Sequence, residues 1–263
     1  YVVDRPEPNS KLVRSLEDID NSVYTRYLAR RKKDPGKAKG TLLSVATLNG
    51  DIRYLNAAFA IALRPTNEFP DRLGVADPGW DAPHMRLLKE PKTRPRSLTE
   101  SHLGRLFSAC QQAARPSIPG VTPEVWWQTL FLVAYTTGLR CRALLAMPRP
   151  SEDDLDSETI RLPAEFDKSQ EERAFHCHPQ VAEMVRQIPS SPCGRLFAWP
   201  HCRRYFYTVL YQFQTAAGIP DIEQVSPHDI RRTKATMLIR MGHSLPVVQR
   251  ELGHATPSTT ARF

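Results

Sequence analysis

The sequence predicts a mainly α fold with one small β-sheet, an α+β chain in two parts. Three observations carry that expectation. Apolar residues recur at helical spacing through most of the chain. A single stretch, Thr159 to Cys177, switches to alternation around a polar turn. Between residues 89 and 97 a segment rich in proline and basic residues interrupts both patterns. With 263 residues, 41% of them hydrophobic, the chain has material for two cores.

The first part, residues 1–88, reads as all-helical. Residues 1–14 are polar, contain two prolines and suggest an arm. Ser15 is placed to cap a helix carrying Leu16, Ile19, Val23, Tyr27 and Leu28. A basic turn follows, with Arg30, Arg31, Lys32, Lys33, Lys37 and Lys39 around Pro35-Gly36, which break the helix. A second amphipathic helix is expected from about Thr41 to Leu63, with Leu42, Val45, Leu48, Ile52, Leu55, Phe59 and Ala62 on its apolar side. Residues 89–97 form the linker. Pro91 and Pro95 stiffen it, and Lys89, Lys92, Arg94 and Arg96 suit it to lie along phosphates.

The second part, residues 98–263, opens with Thr99 as an N-cap. Leu103, Leu106, Phe107 and Cys110 share one helix face. Thr122-Pro123-Glu124 starts a helix with proline at its first position, and Trp126, Trp127, Leu130, Phe131 and Ala134 should be buried. That helix stops at Thr136-Thr137-Gly138. The alternating residues Ile160, Leu162, Phe175 and Cys177 predict a β-hairpin whose turn spans Asp167 to Glu172.

Charge narrows the class of partner. Lys and Arg total 36 against 28 Asp and Glu, a net +8 with a pI near 9.4, which points to a polyanion. The longest apolar runs, Tyr54 to Leu63 and Leu130 to Tyr135, fall short of the ~20 residues that span a bilayer, so no membrane association is expected. No signal-peptide pattern opens the sequence. The five cysteines are odd in number and scattered, which argues against a disulfide framework and for a reducing, cytoplasmic setting.

Chemistry concentrates near the C-terminal end. Ser226-Pro227-His228-Asp229 is a helix start, and His228 and Arg231, three apart, share a face of its first turns. A second helix, from about Leu245 to Leu252, ends at Gly253, and His254 follows directly.

His228-Asp229-Ile230-Arg231, then Leu252-Gly253-His254, then Ser258 to Phe263 resemble the C-terminal signature of the tyrosine recombinase (phage integrase) family. Thr137-Gly138-Leu139-Arg140 resembles that family's first arginine box, and Lys168 matches its catalytic lysine by position. The resemblance covers the catalytic half, 98–263, and residues 1–88 resemble the family's core-binding domain. It implies a site-specific recombinase that cleaves and rejoins DNA through a 3′-phosphotyrosine, with no metal and no other cofactor.

By that resemblance Arg140 and Arg231 meet the charge that builds on the phosphate oxygens, His254 donates to the phosphate and His228 aids proton transfer or positioning. Lys168 protonates the departing 5′-oxygen. The nucleophile position, nine residues after His254, holds Phe263, which has no oxygen to form the ester. The chain is therefore expected to bind a double-stranded recombination site without cutting it. A tyrosine replaced by phenylalanine to hold an uncleaved complex is favoured over a naturally inactive relative, because the other boxes are present. The implied assembly is a dimer on each site and a tetramer in synapsis, passing through a Holliday junction. The glutamate usual three residues after the first-box arginine is Ala143 here.

Three rivals stand beside this reading. A naturally non-catalytic DNA-binding regulator on the same fold would explain Phe263. A type IB topoisomerase shares the chemistry. A zinc module could draw on His176, Cys177, His178, Cys193, His201 and Cys202, but their spacing matches no familiar finger.

Overall fold

The computed structural model describes residues 15–16, 18–36, 40–62, 80–91, 97–167 and 170–253. The chain divides into two compact units, Tyr1–Thr93 and Arg94–Phe263.

In the first unit α1 (Asn21–Arg31) and α2 (Val45–Ala62) pack through Tyr24, Leu28, Ile52 and Phe59. The Phe59 ring meets Tyr24 and Trp80 edge-on, at 5.7 and 5.6 Å between centroids. The helix expected from Ser15 begins only at Asn21. Asp20 is its cap, accepting from the Val23 amide at 2.8 Å, while Ser15 turns its own amide toward Asp18. The second helix likewise starts at Val45 rather than Thr41. Residues 34–36 and 40–43 pair with each other first, with the Gly36 amide on the Thr41 carbonyl and the Leu43 amide on the Asp34 carbonyl, which leaves Leu42 exposed instead of on the apolar side.

Residues 80–91 carry no helix, so the helical expectation for the first part holds at α1 and α2 but not there. Two side chains of α2 hold this segment. Asn49 accepts from the Leu88 amide at 2.7 Å and donates to the Leu88 carbonyl at 2.9 Å and to Glu90 at 2.6 Å. Asn56, two turns along the same face, makes the same paired contact with Met85. Both ends of each amide are used, much as a neighbouring strand would use them.

The second unit is built around α4 (Pro123–Thr137), preceded by α3 (Glu100–Ala109). Thr99 and Thr122 cap these helices as expected, and Trp126, Trp127, Leu130 and Phe131 are buried. Helices α5 (Cys141–Ala146) and α6 (Glu152–Asp156) lead into β1 (Thr159–Leu162) and β2 (Arg173–His176). The two strands pair antiparallel, Ile160 opposite Phe175 and Leu162 opposite Arg173. Ile160, Leu162, Phe175 and Cys177 all face the core, the side the alternation assigned to them. Helices α7 (Pro179–Arg186), α8 (Arg203–Ala216), α9 (Pro227–Arg240) and α10 (Leu245–Leu252) complete the unit. The described residues are mainly helical, with one two-stranded sheet among them. Among the described residues no helix is long and apolar enough to cross a membrane.

Candidate active site

Two helix ends and one helix start meet at the site. Helix α4 ends at Gly138, φ +64°, and α10 ends at Gly253, φ +60°; both use the left-handed backbone that glycine adopts without a Cβ clash. Each end leaves carbonyls without a helical partner. Helix α9 begins beside them. Ser226 and Asp229 form a capping box, with the Ser226 amide on Asp229 Oδ2 at 3.0 Å, and Pro227 occupies the first turn.

From the first turns of α9, Arg231 reaches both glycine-capped ends. Its Nη1 donates to the Gly138 carbonyl at 2.6 Å and its Nη2 to the Leu252 carbonyl at 2.5 Å. The residue is 4% exposed. Helix C-termini carry partial negative charge, so the buried guanidinium is met by peptide dipoles. Burial first, then the like charges of Arg140 and Arg173, push its pKa down to about 9, while Asp167 pulls the other way. Arg140, directly after the Gly138-Leu139 turn, donates from Nη2 to the Gly253 carbonyl at 3.3 Å. Lys234, one turn along α9 from Arg231, donates to the Thr136 carbonyl.

Arg140 and Arg231 line one cleft of about 330 Å³, together with Arg142, Glu165, Phe166, Asp167 and Arg173. This is a cationic pocket with its charges preset before any ligand arrives, the arrangement that stabilises a phosphate gaining negative charge. Two of the five N–H donors of Arg231 are spent on carbonyls, which fixes the plane of the fork and leaves three.

His228 does not line that cleft; it sits on the first turn of the same helix, with substantial exposure. Enough protein surrounds the ring that desolvation, followed by Arg232 and Arg231, lowers its pKa, with Asp229 opposing. The imidazole is therefore biased toward its neutral form, able both to donate and to accept. Lys168, His254 and Phe263 lie outside the described residues.

Reasoning from the sequence did not single out Asp167, Arg173 or Lys234. The Arg173 side chain is largely shielded and faces Asp167 at 3.4 Å, with its pKa lowered chiefly by desolvation and partly restored by that carboxylate. The available signal was weak: opposite charges on either side of a hairpin turn, which more often mark a solvated loop.

Of the basic residues expected to touch phosphates, Arg30, Lys32, Lys33 and Lys89 are exposed. Arg31 differs, because its Nε meets Asp51 at 2.9 Å and its Nη1 meets Asp34 at 2.7 Å, pinning α1 to α2. Lys37, Lys39, Lys92, Arg94 and Arg96 lie outside the described residues. His176, one of the possible zinc ligands, is exposed opposite Glu158, whereas Cys177 is buried. Among the described residues no three potential ligands cluster.

The family model for the phage integrase family matches residues 96–263. The chain belongs to that family, the tyrosine recombinases. Over 93% of its length this integrase-family chain is 26% identical to 73% of a tyrosine recombinase XerD of Xanthomonas campestris pv. campestris. It is 27% identical over 98% of its length to 91% of the XerD of Neisseria meningitidis serogroup B. Among solved structures, the XerH site-specific recombinase bound to its difH substrate superposes with a TM-score of 0.63, covering 94% of this chain and 68% of that one at 20% identity. The Tn1549 transposon integrase in complex with transposon right end DNA superposes with a TM-score of 0.61 at 18% identity, covering 93% and 80%. These two likenesses concern the fold, mainly helical with one small sheet.

Proposed function

We propose that this member of the tyrosine recombinase family binds a double-stranded recombination site and, with phenylalanine at position 263, holds that site uncleaved. The observation that carries the reading is the joint placement of Arg140 and Arg231 in one cleft, each tied to the glycine-capped end of α10. Bidentate guanidinium forks at a preset spacing suit the non-bridging oxygens of a scissile phosphate.

In the reaction this site is built for, a tyrosine hydroxyl at position 263 attacks phosphorus in line. The P–O bond to the 5′-carbon side breaks, and a 3′-phosphotyrosine and a free 5′-hydroxyl result. Arg140 and Arg231 absorb the charge that develops on the phosphate. His228, biased toward neutrality, takes or relays the nucleophile's proton, and His254 donates to a phosphate oxygen. Lys168 gives its proton to the leaving 5′-oxygen. The ester keeps the energy of the broken bond, so attack by the partner strand's 5′-hydroxyl rejoins DNA without metal or nucleotide. Residues 1–88 serve as the core-binding domain, residues 89–97 as the basic linker and residues 98–263 as the catalytic domain. Protomers pair on each site, and two pairs make the synaptic tetramer.

Phe263 favours a second reading, a naturally non-catalytic DNA-binding regulator on the same fold. One experiment separates them. Phe263→Tyr is incubated with a duplex selected from a randomised library by the unchanged chain, and covalent protein–DNA adduct is followed on denaturing gels. Adduct that resists denaturant supports the recombinase. Tight binding with no adduct supports the regulator.

A further inference from the structure

Arg173 opens β2, and its side chain is only 10% exposed. One guanidinium touches two separate pieces of chain. Nη1 faces Asp167 Oδ2 at 3.4 Å, at the near end of the hairpin turn. Nη2 donates to the Glu251 carbonyl in the last turn of α10. The packing is close: a Cβ on Gly253 would sit 2.9 Å from Arg173 Nη1 and 3.4 Å from Asp167 Oδ2. Asp167 directly precedes Lys168 in the sequence, and Gly253 directly precedes His254.

We propose that Arg173 is a positioning residue, bridging Asp167 to the end of α10 so that the two described chain segments leading into positions 168 and 254 are held in one register. The inference rests on the roles given above to Lys168 and His254. Those two groups come from connections distant in sequence, and each must act on the same phosphate. Ordering a loop costs backbone entropy, so a turn without an anchor is seldom in the reactive arrangement. A buried ion pair that also bonds a helix carbonyl supplies such an anchor. Its desolvation makes it weak as a source of net stability, which leaves registration as the benefit that accounts for it.

The test compares Phe263→Tyr with the same protein carrying Arg173→Lys, or carrying Asp167→Asn together with Arg173→Gln. The double change removes the pair without stranding a buried carboxylate. Single-turnover adduct formation is measured on the selected duplex and on the same duplex with sulfur in the bridging 5′ position, since a thiolate leaves without needing a proton. With the bridge removed, adduct formation should slow on ordinary DNA by about ten-fold or more, a general-acid effect, and be largely restored by sulfur while affinity is kept. Arg173→Lys should recover part of the loss. Equal slowing on both substrates, or no slowing, overturns the proposal.

A second measurement needs no cleavage. In the unchanged Phe263 chain, acylation of Lys168 is followed by peptide mass spectrometry with and without the duplex. DNA should shield Lys168, and the double change should abolish the shielding while binding persists. Unaltered shielding overturns the positioning role, even if restored tyrosine gives no adduct and the recombinase reading has failed by itself.

Discussion

Arg231 and Gly138 meet at 2.6 Å, guanidinium Nη1 to carbonyl oxygen, where α9 passes the end of α4. The contact depends on the backbone turning sharply at residue 138, and the space there is full. A Cβ at this position would lie 2.8 Å from Leu252 Cδ2 and 3.1 Å from Lys234 Cδ, on a backbone with φ +64°. Gly138→Ala combines a left-handed penalty of roughly 1–2 kcal/mol with overpacking of roughly 1–3 kcal/mol. The expected loss is therefore about 2–5 kcal/mol in urea unfolding. A loss below half a kilocalorie would mean that the α4 and α10 ends are looser than the distances imply.

Arg231 itself should resist replacement by lysine. A lysine ammonium lacks the planar fork that reaches the Gly138 and Leu252 carbonyls together. Arg231→Lys leaves one of them without its donor, a cost of about 1–3 kcal/mol for a buried polar group. Stability and DNA affinity are expected to fall together, measured by denaturant midpoint and by fluorescence anisotropy. Wild-type values for both would remove Arg231 from the frame of the site.

The lowered pKa of His228 has a stability consequence with a definite sign. Its ordinary value is 6.5, and the folded value lies below that. The unfolded chain therefore takes up a proton first as pH falls, so stability rises with pH across this window. The contribution is complete above 6.5 and is lost as pH falls from there through the folded value. His228→Asn should show a smaller drop in denaturant midpoint than the unchanged chain between neutral and mildly acid buffer. Parallel drops would show that the ring is not desolvated.

In the first unit the corresponding weak point is Asn49. It is 1% exposed and holds both backbone groups of Leu88. Asn49→Leu keeps the size but leaves the Leu88 amide and carbonyl without partners. A destabilisation of about 2–4 kcal/mol follows from two orphaned groups, with increased proteolysis at residues 80–91 as the local signature. A change confined to Asn56 contacts would redirect attention to Met85.

The caps and chain reversals were legible in the sequence because their causes are local. Thr99, Thr122, Ser226, Gly138 and Gly253 each act on neighbours within a few residues. The hairpin was legible for the same reason, since alternation fixes which side chains face inward. The expected cap of α1 differs from the observed one because Ser15 and Asp20 are both competent, and only the contacts decide between them: Asp20 takes the Val23 amide, whereas the Ser15 amide donates to Asp18. Arg140 and Arg231 came from motif spacing. Asp167 and Arg173 left only opposite charges across a hairpin turn, while the Arg173–Glu251 and Asn49–Leu88 contacts stayed hidden because they are made to distant backbone atoms, which leave no trace in residue type.

The basic end of α1 contains residues of two kinds, and substitution should separate them. Arg31 is bound to Asp34 and Asp51 within its own unit, whereas Arg30, Lys32 and Lys33 extend from the same turn into solvent. Charges free to meet phosphates release counterions, and each phosphate contact contributes about −0.9 to the slope of log affinity against log salt. Lys32→Ala with Lys33→Ala should flatten that slope by about 1–2 and weaken all duplex sequences alike. Arg31→Ala should instead lower the urea midpoint modestly, as expected for a partly exposed ion pair, and leave the slope nearly unchanged. Anisotropy titrations from low to moderate salt, paired with urea melts, read both quantities. A slope that responds to Arg31 and ignores the two lysines would place the phosphate contact on the buttressed guanidinium.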